Sequence, residues 1–109
     1  MQDPVNLLDL AGGRVSGPFN EVVMAGAGHR VRLTLTTSPG PWHHHPNTPE
    51  TFIVLQGVLR LEFRDGTRMD LGPGTAYSVP AGVSHRSLSA RAVSVSVEVQ
   101  DQQVVLEDG

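Results

Sequence analysis

The chain has 109 residues, of which 39% are hydrophobic and 17% are charged, and its formal net charge is −3. This length and balance are typical of one compact globular domain and argue against extended disorder. The acidic balance argues against a nucleic-acid partner, and the absence of cysteine excludes disulfides and thiolate metal sites.

The N-terminal residues and the hydropathy indicate no association with a membrane. The chain starts without the basic and apolar regions of a signal peptide. No apolar run approaches the ~20 residues that are needed to cross a bilayer. We therefore expect a cytoplasmic protein.

Short runs of alternating apolar and polar residues indicate an all-β protein. The chain contains 12 glycines and 8 prolines, which separate these runs as turn residues do. About residues 1–20 are expected to form an irregular lead-in with a short strand at 5–10, and no helix of any length is predicted. The other predicted strands cover residues 29–37, 51–55, 58–64, 69–71, 76–79 and 93–100.

The strand at 29–37 separates apolar from charged side chains. Val31, Leu33 and Leu35 share one face, whereas Arg30 and Arg32 lie on the other. Most arginines in such strands are expected on a solvated face. One that points inward could bind the carboxylate or phosphate of a substrate.

Asp65 and Gly66 give the strongest hairpin signal in the chain. A glycine accepts the positive φ of a type I′ turn, so that turn type is predicted between the flanking strands. At least seven short strands favour a closed barrel or a double-sheet jelly roll, because both architectures limit exposed strand edges.

The histidines indicate a site for a metal ion. His43 and His45 are two residues apart and share one face of a strand, whereas His44 points to the other. The loop 46–49 is expected to turn back so that Glu50 returns on the neighbouring strand, and His85 follows a turn. Three imidazoles and one carboxylate form a ligand set for Zn, Fe, Mn, Co or Ni, and they leave room for water or a substrate.

Two spaced motifs carry a family resemblance. The sequences His43-x-His45-x4-Glu50-x6-Gly57 and Gly74-x5-Pro80-x-Gly82-x2-His85 resemble the two motifs of the cupin superfamily, in particular of its small single-domain (cupin 2-like) members. The resemblance covers about residues 30–99. Two positions depart from the family pattern: Thr37 replaces the usual opening glycine of the first motif, and Ser89 replaces the closing asparagine of the second.

The resemblance implies a fold, a site and an assembly. The fold would be an all-β, antiparallel double-stranded β-helix or jelly-roll barrel, formed as a single domain over residues 1–109 with its core at about 30–99. The resemblance assigns a divalent metal ion to His43, His45, Glu50 and His85, and a small-molecule ligand to the barrel interior. A homodimer is also expected, because small cupins commonly dimerise and the strand at Val93 to Val99 is expected to have edges to cover.

Several nearby residues are expected to have no chemical role. His44 lies on the opposite face of the strand from His43 and His45 and is expected to face solvent. His29 is interpreted as an ordinary surface residue. Trp42 is expected to pack. Phe52 and Tyr77 are expected in the core or the wall of a pocket.

Three functions are compatible with the sequence. The first is a metal-dependent enzyme acting on a small polar metabolite, such as an isomerase, a lyase or a dioxygenase. The second is a non-catalytic cupin that binds a metabolite or a metal as a sensor. The third is an enzyme in which the histidines act as general bases without a metal, and the full ligand set argues against it.

Overall fold

The computed structural model describes residues 3–12 and 18–109. In chain order, its elements are helix α1 (Leu7–Gly12) and strands β1 (Phe19–Gly26), β2 (His29–Thr36), β3 (His43–His44), β4 (Glu50–Gly57), β5 (Leu59–Phe63), β6 (Arg68–Leu71), β7 (Ala76–Val79), β8 (His85–Ser87), β9 (Ala92–Val99) and β10 (Val105–Leu106).

The strands form two five-stranded sheets, in which every strand pair is antiparallel. The first sheet has the order β1-β2-β9-β4-β7, and the second has the order β10-β3-β8-β5-β6. This double-sheet, all-β architecture confirms the predicted jelly roll. In the described part of the chain, no helix is long and apolar enough to cross a membrane.

One apolar core lies between the two sheets. It contains Val54 and Val79 from the first sheet and Leu59, Leu61 and Leu71 from the second, all of them less than 5% exposed. These residues fill one end of the sandwich. At the other end, an open cavity is lined by charged and polar side chains together with some apolar ones.

A second apolar core lies on the outer face of the first sheet. Leu33 and Leu35 of β2 and Val93 and Val95 of β9 form it together with Ala11 of α1. The opposite face of the same strands carries Arg30, Arg32, Ser94, Ser96 and Glu98, which line the cavity between the sheets. The apolar side of these strands therefore faces outward under a helix, and the polar side faces inward.

The predicted strand at 5–10 is wrong, because α1 occupies this segment. Asn6 caps the helix: its Oδ1 accepts a hydrogen bond from the Asp9 N–H at 2.9 Å. Leu7, Leu10 and Ala11 have helical spacing and pack on the outer core. Strand β1 lies in a segment for which the sequence had predicted no strand.

Two further corrections concern turns and edges. The Asp65–Gly66 hairpin is confirmed, but its turn is not type I′, because Gly66 has a φ of +87° and no described residue other than glycine has a positive φ. A three-residue loop with glycine in the left-handed position fits these torsions. Strand β9 pairs with β2 and β4 on its two sides, so it has no edge to cover.

Candidate metal centre

The two sheets each contribute to one cluster of polar side chains. His43 of β3 pairs directly with His85 of β8 in the second sheet, and His45 follows β3. Glu50 begins β4 in the first sheet. The sequence had placed Glu50 on a strand next to the histidines, but the loop 46–49 carries the chain across to the facing sheet.

A glycine turn fixes the position of His85. Gly82 has a φ of +80°, a conformation that L side chains rarely adopt. Its N–H donates to the backbone carbonyl of His45 at 2.8 Å. The turn that precedes β8 is thereby tied to the chain that carries the other histidines.

Three imidazoles converge on one carboxylate oxygen. The Nε2 atoms of His43, His45 and His85 lie 3.5, 3.1 and 2.7 Å from Oε1 of Glu50. The side chain of His85 is 1% exposed, and that of Glu50 is 14% exposed. The structure therefore brings together all four residues that the sequence proposed as metal ligands.

The other ring nitrogen of each histidine is held by the backbone. Nδ1 donates to a carbonyl oxygen in every case: His43 to Pro41 at 3.0 Å, His45 to Gln103 at 2.7 Å, and His85 to Val83 at 2.9 Å. A carbonyl can only accept, so Nδ1 carries a proton in each ring. In the neutral imidazole the Nε2 lone pair then points at Glu50, which is the tautomer that a metal ligand needs.

The donor set fits a divalent cation. Neutral imidazole lone pairs that face a carboxylate need a proton or a metal ion between them. His45 Nε2 is buried, and its 3.1 Å contact with Glu50 Oε1 lacks the angular geometry of a hydrogen bond. The ligand atoms of His43, His45 and Glu50 lie within 4.8 Å of one another, so this group could hold a metal ion. Imidazole and carboxylate ligands suit Zn, Fe, Mn, Co and Ni, and do not distinguish among them.

The pKa values of the cluster show strong electrostatic coupling. Burial alone would raise the pKa of Glu50, but its close contacts with the three imidazoles outweigh it and hold that pKa far below its usual range. Burial would likewise lower the pKa of His43 and of His45, yet the adjacent Glu50 carboxylate raises both pKa values. The carboxylate is therefore ionised, and it favours a cation at the Nε2 atoms.

The cluster opens into a cavity of about 820 Å³ between the sheets. Leu59 and Leu61 of the apolar core lie at its floor, and Phe52 forms part of its wall. The Phe52 ring centroid is 6.2 Å from that of His85, whereas Tyr77 packs against the core. Both aromatic residues therefore have the wall and core positions that the sequence predicted.

His44 lies outside the cluster, as its parity predicted, but it is not an unpartnered surface group. Its Nδ1 lies 2.7 Å from Glu107 Oε2, and its side chain is 26% exposed. Two guanidinium groups lie over the half-buried Trp42 ring, with Arg64 at 4.1 Å and Arg86 at 4.9 Å from its centroid. Cation–π attraction to both groups is compatible with the packing role expected for Trp42.

The C-terminal segment at 101–107 was not predicted to contribute to the site. Gln103 supplies the carbonyl that orients His45, and Asn47 holds this segment through Nδ2 to the Asp101 carbonyl (3.0 Å) and Oδ1 from the Gln103 N–H (3.0 Å). A backbone carbonyl has no residue signature, so no sequence signal could have identified the Gln103 contact.

Comparison with known proteins shows the family of the chain. A sequence model of the cupin domain matches residues 29–95. The chain is 38% identical over 79 residues to the uncharacterized protein YdbB of Bacillus subtilis (strain 168), covering 72% of this chain and 70% of YdbB.

Two solved structures illustrate the likeness in fold. A cupin-2 domain protein from Shewanella frigidimarina NCIMB 400 has a TM-score of 0.80 and 26% identity, over 88% of this chain and 94% of that one. The polyketide cyclase RemF from Streptomyces resistomycificus has a TM-score of 0.74 and 17% identity, over 84% of this chain and 72% of RemF. The family match, the relative and the double-sheet fold agree, and the chain belongs to the cupin family.

Proposed function

We propose that this cupin is a metal-dependent enzyme that acts on a small polar metabolite in the cavity between its sheets. The observation that carries the proposal is the convergence of three backbone-anchored imidazoles on Glu50, at the base of an open cavity. His43, His45, Glu50 and His85 would hold the ion. A divalent metal held there would polarise a carbonyl group of the substrate or lower the pKa of bound water.

The protein itself supplies orientation and exclusion of water. The Nδ1 hydrogen bonds fix the ring planes of the histidines, so little reorganisation is needed when a cation binds. The apolar floor at Leu59 and Leu61 keeps water away from one side of the site. The likeness to RemF, whose name describes a cyclase, supports an enzymatic role for this fold and leaves the choice among isomerase, lyase and dioxygenase chemistry to assays.

The competing proposal is a cupin that binds a ligand without turnover. One observation favours it: among the described cavity-lining residues, the only carboxylates are the candidate ligand Glu50 and Glu98, which two guanidiniums hold. A separate carboxylate base is therefore absent from the described part of the wall. Turnover would then depend on the metal ion without a carboxylate general base.

Metal content and turnover separate these proposals. Plasma mass spectrometry on untagged protein, purified without a metal-affinity column, should find close to one equivalent of a first-row metal per chain. The loaded protein would then be screened by NMR against sugar derivatives and oxo acids, with the His85→Ala variant as the inactive control. Metal without turnover, together with saturable ligand binding, would support the binding protein; no metal after incubation with Mn, Fe, Ni and Zn would reject both metal-based proposals.

We also propose that the chain forms a homodimer through the outer face of the first sheet. Met24, Val97 and Val99 lie there and are 37%, 44% and 38% exposed, beside the outer core. Exposed apolar side chains next to a core suit contact with a second copy. Light scattering should find a dimer that Val97→Glu dissociates, whereas Val58→Glu, which changes an exposed valine elsewhere, should not; a monomeric wild type would reject the proposal.

A further inference from the structure

A charged group on the cavity wall is not explained by metal binding. Arg30 and Arg32 of β2 face Glu98 of β9, with Arg30 Nη2 at 3.4 Å from Oε2 and Arg32 Nε at 2.5 Å from Oε1. Arg32 Nη1 also donates to Asn20 Oδ1. One carboxylate, 3% exposed, thus serves two guanidiniums, and a positive charge is left without a counter-charge in this group.

Strand register places this group close to the candidate metal ligands. Arg30 of β2 pairs with Glu98 of β9. On the other side of β9, Thr51 of β4 pairs with Val97, so the antiparallel register places Glu50 opposite Glu98. Two strand spacings separate Arg30 from Glu50, or about 10 Å between Cα atoms. The side chains of Arg30 and Glu50 both line this cavity, so a molecule of a few carbon atoms can reach from one to the other.

The guanidinium of Arg30 remains accessible from the cavity. Its contact with Glu98 uses Nη2 at 3.4 Å, and its side chain is 27% exposed and lines the cavity. A ligand in the cavity that offers an anionic acceptor would hydrogen-bond to this guanidinium.

The charge of the cavity favours an anion. With a divalent ion in place, the ion and the two guanidiniums outweigh the carboxylates of Glu50 and Glu98, which are the only acidic side chains among the described lining residues. A neutral ligand would leave this charge uncompensated. A carboxylate on the ligand would compensate it through a charge-assisted hydrogen bond to Arg30.

We propose that the cavity binds a small carboxylic acid, whose carboxylate accepts from the guanidinium of Arg30. This assignment rests on the proposed function, in which the same molecule is the substrate of the metal site. Arg30 is the residue that selects it, because a neutral ligand offers no counter-charge to its guanidinium.

The experiment titrates the Co²⁺-loaded protein with DL-glycerate and follows the visible spectrum of the ion. Glycerate should bind to the wild type, and the uncharged analogue glyceramide should bind at least about tenfold more weakly. Arg30→Met should weaken glycerate binding by about tenfold or more, while imidazole, a neutral ligand that reports only on the metal, should bind unchanged. Arg91→Met is the matched control, because Arg91 is an exposed arginine outside the cavity that pairs with Gln56.

Equal glycerate affinity in the wild type and Arg30→Met, equal affinity for glycerate and glyceramide, or tighter binding of inorganic phosphate than of glycerate would overturn the assignment.

Failure of the proposed metal function can be distinguished from failure of the anion site. If Co²⁺ does not load, the proposed metal function fails. Calorimetry of the metal-free protein then tests the anion site directly, and glycerate binding that requires Arg30 would still support it. Absence of glycerate binding in both the loaded and the metal-free wild type would overturn it.

Discussion

His85 Nε2 lies 2.7 Å from Glu50 Oε1, although the two residues belong to facing sheets. The imidazole is almost fully buried, and its other nitrogen is held by the Val83 carbonyl. The contact therefore bridges the two sheets at the base of the cavity, and a cation there would hold both sheets together. Metal binding and folding stability should be linked as a result.

The first prediction compares adjacent histidines. His45→Ala should reduce metal affinity by about a hundredfold or more, because it removes a ligand atom rather than an outer hydrogen bond. His44→Ala is the control, and it should leave metal affinity unchanged because its ring bonds Glu107 outside the cluster. Metal titration with a competing chelator measures both. An equal loss of metal affinity in the two variants would show that assigning the ligands from the strand face of each histidine is wrong.

The second prediction concerns pH. The raised pKa values of His43 and His45 mean that these rings hold protons above the ordinary value of 6.5 in the metal-free protein, so protons compete with the metal. Metal affinity should therefore rise with pH across this range. Competition titrations at a series of pH values measure it, and affinity that is independent of pH would contradict the coupling.

The same shifts give a stability profile for the metal-free protein. A raised histidine pKa adds stability that is complete below 6.5 and is lost as the pH rises through the folded-state pKa. The lowered pKa of Glu50 adds stability that is present above 4.5 and is lost on acidification. As far as these groups determine it, Tm should be highest between these two values without metal, and the Tm gain from added metal should grow at higher pH.

The third prediction concerns a glycine at a close backbone approach. Gly57 has a φ of +74°, and a Cβ placed there would lie 2.4 Å from the Arg91 carbonyl oxygen. Gly57→Ala should lower the free energy of unfolding by about 2 kcal/mol or more, from the φ strain and the clash together. Gly66→Ala is the control: its φ is also positive, but no atom lies within 4 Å, so only the cost of about 1–2 kcal/mol for the left-handed conformation is expected. Urea denaturation measures both, and equal losses would argue against the clash.

The fourth prediction concerns the C-terminal segment that orients His45. Asn47→Ala should free residues 101–103 and weaken the Gln103 carbonyl contact, lowering metal affinity by about tenfold. Gln103→Ala should have little effect, because only the backbone of Gln103 makes this contact. Chelator competition tests the pair, and a larger loss for Gln103→Ala would mean that the segment acts through its side chain instead.

Local residue patterns predicted most strands and the ligand types. The spacing of His43, His45, Glu50 and His85 around turn glycines is a local property, so it could be identified without coordinates. Helix α1 also had a local signal that strand periodicity obscured: an Asn6 cap followed by Leu7, Leu10 and Ala11 at helical spacing. The residues of this segment are therefore sufficient to predict the helix.

The amino-acid sequence by itself determined the all-β class, the main turns and the candidate metal-ligating residue types, because each depends on side chains close together in the chain. Only the tertiary structure decided which face of β2 and β9 is interior, since α1 covers the apolar face and leaves Arg30, Arg32 and Glu98 inside. It also decided that Glu50 approaches from the facing sheet and that a distant carbonyl orients His45. These relations join residues far apart in the chain, and strand alternation alone cannot specify which side of a strand will be covered.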